Sequence, residues 1–175
     1  MAALPQPLRD EQRELISRIE TLRTVADSIG SASLEAVREG TREACTFLMH
    51  SLIPHAQAEE QVLYPTIGRL LRTLEATATM SRDHLEVIRL TEELEELRLR
   101  LFYAPLGESD EQALRRVLYG LYAIIKVHLA KEEEIYLPIL EARLLPEEAR
   151  QMFEAMERTV NEAKSSLKAI DTDSP

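Results

Sequence analysis

The chain has no tryptophan, five glycines and one cysteine among its 175 residues. So little glycine, in a sequence rich in leucine, alanine, glutamate and arginine, favours a mostly helical protein. A single cysteine, Cys45, excludes an internal disulfide framework and a cysteine-rich zinc site. It also suits a reducing compartment, so we expect a cytoplasmic protein.

Long apolar runs and an excess of basic residues are missing too. No segment approaches the roughly 20 apolar residues of a membrane-spanning helix, and the first residues, MAALPQPLRDEQ, contain no apolar signal core. The formal charge of −10 argues against nucleic acid or an anionic membrane as a partner, because both attract clustered lysine and arginine. We expect a soluble protein whose length fits one domain with its own core.

Apolar residues follow the helical period in five stretches of the chain. We predict helices over residues 8–29, 34–74, 79–102, 109–143 and 147–170. Pro54 is expected to kink the second helix, because proline removes one hydrogen bond of the helical ladder. Long helices with short connections predict an all-α, up-down four-helix bundle. The bundle would span residues 8–143, after an N-terminal arm (1–7) and before a C-terminal amphipathic helix and polar tail (144–175).

One motif occurs twice in the chain, at an offset of 73 residues. Residues 55–65 read HAQAEEQVLYP, and residues 128–138 read HLAKEEEIYLP. Each copy places a histidine four residues before a glutamate, in the pairs His55–Glu59 and His128–Glu132. On a helix these positions lie about 40° apart on one face. A single pair could be a solvated surface pair, but two copies of a nitrogen and a carboxylate ligand resemble two halves of one metal site.

The repeat extends upstream of each motif. Residues 8–16 (LRDEQRELI) align with residues 80–88 (MSRDHLEVI), which places Gln12 opposite His84. The intervals from these residues to His55 and His128 are 43 and 44 residues. A plain bundle has no reason to repeat rare polar residues at matching intervals. The symmetry of the repeat therefore leads us to expect a histidine at position 12, where the chain has glutamine.

These polar residues occur among apolar neighbours on four helices, so we expect them to face the core. A buried carboxylate without a partner costs several kcal/mol, and two that face each other cost more. A cation between Glu59 and Glu132 would remove this cost. A mixed nitrogen and oxygen ligand set favours iron, manganese or zinc over calcium or magnesium. Two bridging glutamates would suit a centre of two ions, and one ion is the alternative.

This arrangement resembles the hemerythrin-like, or HHE cation-binding, domain family over roughly residues 8–141. That family places a lone histidine, a His-x3-Glu pair, a second lone histidine and a second pair on successive helices of an up-down bundle. The resemblance implies that two irons are bridged by Glu59 and Glu132 and have three terminal ligands, His55, His84 and His128.

Two positions depart from the family pattern. Oxygen-carrying hemerythrins have another histidine four residues after the one on the third helix, where this chain has Ile88. This argues against an oxygen carrier. Gln12 replaces a histidine, so the metal site of His55 lacks one nitrogen donor. The Gln12 amide would either ligate the metal or hydrogen-bond a metal-bound water or Glu59.

Four further residues lie within the two motifs. Tyr136 lies four residues after Glu132 and continues the metal-facing stripe, so we consider it a residue that tunes or ligates the metal, or else a buried tyrosine with another partner. Tyr64 is expected to lie opposite His55 and to serve packing. Glu60 and Glu133 follow each histidine by five residues, about 140° around the helix, and are interpreted as outward charges. The alternative is that a carboxylate from this neighbouring turn compensates for Gln12.

Three functions are compatible with this sequence. The first is a non-haem iron protein that binds or reacts with O2, peroxide or nitric oxide, in sensing, detoxification or iron handling. The second is an enzyme at the same centre, with peroxide-degrading or ferroxidase activity. The third is a non-catalytic helical interaction module with a degenerate one-metal site. A sensor without a signalling domain of its own would act through a protein partner or through metal-dependent folding.

Overall fold

Five helices follow one another in the computed structural model of the chain, which describes residues 6–104 and 107–172, with side chains for 13–73, 75–104 and 107–167. The first, third and fifth helices are Gln6–Ser28, Ala78–Tyr103 and Pro146–Thr172. The second helix runs without a break over residues 34–71 and the fourth over residues 108–143. The described residues contain no strand, and the all-α prediction is confirmed with bounds within three residues of those expected.

Residues with positive φ and a capping side chain mark where the first helices end and begin. Gly30 has φ 81°, a left-handed conformation that glycine adopts without steric cost, and it follows the end of the first helix. Ser33 then caps the second helix, because its side chain accepts a hydrogen bond from the Ala36 amide. The second helix ends at Leu71 and is capped by Arg72, with φ 55°. A 3-10 turn, Leu74–Thr77, then leads into the third helix.

The second and fourth helices contain π-helical turns, in which an amide bonds the carbonyl five residues earlier. These turns are Leu48–Leu52, Glu59–Leu63 and Glu132–Tyr136. Each is followed by a proline two residues after its end, at Pro54, Pro65 and Pro138. Proline has no amide hydrogen and its ring crowds the preceding turn, so one extra residue per turn relieves the conflict. The irregularity expected at Pro54 is thus a π-turn that precedes it.

Two apolar clusters form the core, one towards each end of the bundle. The first helix packs on the second and the fourth, and the third also packs on these two, which is the up-down arrangement. The larger cluster includes Leu22, Leu48, Leu94 and Leu118. The smaller one includes Ile67, Met80 and Leu140, and the fifth helix adds Met152 and Met156 to it. The fifth helix therefore covers one side of the bundle, along the middle of the second helix.

Residues 1–5 lie outside the described part of the chain, and the division into arm, bundle and C-terminal helix stays a prediction. Among the residues that are described, no helix is both long and apolar enough to span a bilayer.

Candidate metal centre

Five titratable side chains from three helices meet in a layer between the two apolar clusters. The second helix provides His55 and Glu59, the third provides His84, and the fourth provides His128 and Glu132. All five are buried, with 1–7% of their surface exposed. The structure therefore brings together every His and Glu that the repeat identified as a candidate ligand. Gln12 belongs to the first helix, but its side chain lies outside the described residues.

The first donor group consists of Glu59, His84 and His128. The Nε2 atoms of the two histidines lie 3.0 Å apart. Oε2 of Glu59 lies 3.1 Å from Nε2 of His84 and 3.8 Å from Nε2 of His128. Three donor atoms from three helices thus converge on one point.

The second donor group consists of His55, Glu59 and Glu132, whose donor atoms lie within 4.8 Å of one another. Nε2 of His55 lies 3.0 Å from Oε1 of Glu59. Glu59 therefore belongs to both groups, with one carboxylate oxygen towards each. Oε1 of Glu132 also lies 3.3 Å from Nε2 of His128, so both glutamates connect the two groups.

Two outer carboxylates orient the histidines of the first group. Nδ1 of His84 lies 2.8 Å from Oε1 of Glu60, whose other oxygen accepts a hydrogen bond of 2.9 Å from the Ser81 hydroxyl. Nδ1 of His128 lies 3.2 Å from Oδ2 of Asp83, which also pairs with Lys131. Such partners fix the tautomer of a metal-binding histidine and leave its other nitrogen for the metal.

Glu60 is exposed, as expected of an outward charge, but its carboxylate also contacts His84 of the third helix, which the sequence did not predict. Its counterpart in the repeat, Glu133, is exposed as well. Asp83 was not singled out by the sequence. One signal for it was available, since it immediately precedes His84 within the aligned segment.

The packing role expected for Tyr64 was wrong, whereas Tyr136 has the second of its two expected roles, that of a buried tyrosine with another partner. The Tyr64 hydroxyl lies 3.3 Å from Nε2 of His84 and 3.4 Å from Nε2 of His128, and its ring stacks on the His84 ring. The Tyr136 hydroxyl instead donates to the Ala76 carbonyl, at 2.9 Å. The π-turns explain both positions, because one extra residue turns all later side chains back by about 100°.

Burial and mutual repulsion shape the protonation of this cluster. Burial and, after it, the charge of Glu59 raise the pKa of Glu132 to about 7. Burial acts on Glu59 in the same direction, but His55, His128 and His84 together hold its pKa below the usual range. Burial lowers the pKa of His128, yet its bonds to Glu132 and Glu59 outweigh this and raise the pKa to about 10. Without a cation, protons thus reduce the repulsion between the two carboxylates.

A cavity of about 20 Å³ adjoins the donor atoms. Its walls are mainly apolar, and they include Leu52, Val87, Ile125 and Leu129 beside the histidines. This volume is close to that of one water-sized sphere. A space of this size suits a small molecule rather than a larger organic substrate.

The chemistry of the donors fits a transition-metal ion. Imidazole nitrogen and carboxylate oxygen together suit iron, manganese and zinc, and a cation compensates the two buried carboxylates. The fold and this cluster define a helical-bundle protein with a site that could hold a metal ion.

The model of one family, the hemerythrin HHE cation-binding domain, matches residues 6–140. The chain therefore belongs to the hemerythrin HHE cation-binding family. No curated protein and no solved structure matched the chain in the corresponding comparisons.

Proposed function

We propose that this protein holds two iron ions between its helices and that the centre binds or reacts with O2, peroxide or nitric oxide. The observation that carries the proposal is the position of Glu59 in both donor groups. One carboxylate with an oxygen towards each group is the arrangement that a bridging ligand requires. Iron held there would be an electron-rich, redox-active ion to which a small ligand could bind.

The protein side chains would contribute positioning, charge and exclusion of water. Glu60 and Asp83 hold the Nδ1 atoms of His84 and His128, so that both Nε2 atoms face the same point. The apolar walls of the adjoining cavity would favour a small ligand such as a diatomic molecule or a peroxide and would limit the access of bulk water. We propose a diatomic molecule or a peroxide as the physiological ligand. We also propose that the protein acts in the cytoplasm and that it passes any signal to a partner protein. Nucleic acid and membranes are not proposed as partners.

A specific observation favours an alternative with a single metal ion. The His55 group contains one nitrogen donor, whereas the His84 group contains two. Because imidazole is the stronger neutral donor, the His84 group is expected to fill first and to bind more tightly. A protein with only this ion would be a one-metal module, with a role in interaction rather than catalysis.

Metal analysis and kinetics test these possibilities. The full chain is purified without an affinity tag, and iron, manganese and zinc are measured per chain together with the ultraviolet–visible spectrum. Two irons per chain support the proposal, and one ion supports the alternative. Repeated turnover of hydrogen peroxide or of Fe²⁺ with O2 would mark an enzyme, whereas stoichiometric reaction would mark a binding protein or a sensor.

A further inference from the structure

Tyr64 places a third kind of donor atom beside the two histidines of the first group. The residue is buried, with 4% of its surface exposed, and follows the π-turn Glu59–Leu63 directly. Its amide bonds the Glu59 carbonyl, five residues earlier. This π-type bond brings the tyrosine onto the same side of the helix as the Glu59 carboxylate. The hydroxyl then lies between His84 and His128 rather than in the apolar cluster.

We infer that the hydroxyl oxygen of Tyr64 is a further ligand of the ion held by Glu59, His84 and His128. The inference rests on the proposed function insofar as it requires a bound metal ion. It goes beyond that function by giving the two metal positions different chemistry. The first would have a phenolate ligand, and the second would have only imidazole and carboxylate ligands among the described side chains.

The distances between donor atoms carry the inference. Bonds of about 2.0–2.2 Å at angles between square and tetrahedral place neighbouring ligand atoms roughly 2.8–3.6 Å apart. The His84 and His128 nitrogens are 3.0 Å apart, and the Tyr64 oxygen is 3.3 and 3.4 Å from them. The oxygen thus completes a triangle of donors of the size that one ion spans. Glu59 approaches the same triangle, at 3.1 Å from His84.

A phenolate ligand at this place requires the charge of a bound cation. A bound metal ion is the largest local charge in such a site and favours the phenolate form of a coordinated tyrosine. On binding, one oxygen–metal bond would form and the hydroxyl proton would pass to the buffer. Tyrosine is an established oxygen ligand of iron, as in the haem of catalase.

The second half of the chain provides a matched control. Tyr136 lies in the π-turn Glu132–Tyr136 and is also buried, but its hydroxyl bonds the Ala76 carbonyl. Tyr136→Phe removes the same atom from a second buried tyrosine, whose hydroxyl bonds a backbone carbonyl and not the donor groups. A difference between the two variants therefore reports the position of the hydroxyl rather than the loss of a buried tyrosine.

The experiment uses the full chain, made metal-free and loaded with Fe²⁺ and then air, as the wild type, Tyr64→Phe and Tyr136→Phe. We expect the wild type and Tyr136→Phe to show a phenolate-to-iron charge-transfer band in the visible, with tyrosine ring modes in resonance Raman spectra. Tyr64→Phe should lose both. Ring-deuterated tyrosine in the wild type should shift the Raman modes, which tests the inference even if Tyr64→Phe folds poorly.

The outcomes separate this inference from the proposed function. Iron bound by the wild type without a phenolate band, or a band that survives in Tyr64→Phe, overturns the tyrosine ligand alone. A wild type that binds no iron overturns both. A band lost in Tyr136→Phe and kept in Tyr64→Phe would assign the phenolate to the other tyrosine and also overturns the inference.

Discussion

His84 and His128 point their Nε2 atoms at each other across 3.0 Å, from two neighbouring helices. The Nδ1 atom of each ring contacts a separate carboxylate, so both Nε2 atoms are left facing the centre. Two such nitrogens at this distance are stable with a proton or a cation between them, because two neutral acceptor nitrogens repel. The pair therefore forms a donor set that is already assembled before an ion binds.

We predict that His84→Ala or His128→Ala removes the more tightly held ion and lowers thermal stability. A metal that binds only the native state adds RT ln(1 + [L]/Kd), about 2.7 kcal/mol at a hundredfold excess over Kd. That contribution disappears with the metal. The measurement is metal content per chain, with the melting temperature in the presence and absence of metal.

His50→Ala is the control for this pair of variants. His50 is half-buried in the second helix and belongs to neither donor group. It should keep wild-type metal content and the wild-type gain in melting temperature on metal addition. Wild-type metal content in either His84→Ala or His128→Ala would refute the assignment of that ligand.

Changes to the outer carboxylates, Glu60 and Asp83, should also weaken metal binding, but by less than loss of a histidine. Glu60→Gln and Asp83→Asn remove the charge that holds His84 and His128 in the metal-binding tautomer. We expect metal affinity to fall by about 10- to 100-fold, the range seen for such partners, while the helices stay intact. Competition with a chelator measures the change. Glu133→Gln, the exposed counterpart of Glu60 in the repeat, should have no effect, and an equal loss in this control would mean that the effect is general electrostatics.

Metal binding should become more stabilising as the pH rises. In the metal-free protein the pKa of Glu132 is raised from 4.5 to about 7 and that of His128 from 6.5 to about 10. Between these values the folded state binds more protons than the unfolded chain, so its free energy of unfolding falls as the pH rises. The lowered pKa of Glu59 acts in the opposite sense only below its usual value of 4.5.

An ion must displace the same protons, so its binding gains strength over this window. We expect the difference in melting temperature between loaded and metal-free protein to grow from about pH 6 to about pH 8. Glu132→Gln should flatten the lower part of this trend. A difference that shrinks with rising pH would contradict the assignment of His128 and Glu132 as ligands.

Gln12→His tests the repeat directly. The alignment of Gln12 with His84 is a property of the sequence, and the side chain at position 12 lies outside the described residues. A histidine there should add a nitrogen donor to the His55 half of the centre. We expect tighter binding of the second ion, measured as metal per chain at limiting iron, and a change in the spectrum. Unchanged stoichiometry, spectrum and peroxide reactivity would mean that position 12 does not serve the centre.

The sequence predicted the helices and the five histidines and glutamates that lie together in the core, because both depend on regular spacing. His-x3-Glu lies on one face of a helix whatever follows it, and the repeat distinguishes it from a surface pair. The two tyrosines show where this reasoning stops. A constant rotation of 100° per residue places Tyr136 at the centre and Tyr64 away from it, whereas the π-turns reverse the two.

A signal for these turns is present in the sequence. Each glutamate of the repeat is followed six residues later by proline, at Pro65 and Pro138. Proline within an otherwise continuous helical pattern indicates either a kink or an added residue, and spacing alone does not decide between them. The Glu60–His84 contact was not predictable in this way, since it depends on how closely the second and third helices pack.

The most direct test of this account is the iron content of the full, tag-free protein beside that of Glu59→Ala. Glu59 contributes one oxygen towards each donor group, so its loss should affect both metal positions. The account predicts two irons per chain in the wild type and less than one in the variant, with a matching loss of thermal stabilisation by metal. A wild type without bound metal, or a Glu59→Ala variant that retains both ions, would contradict it.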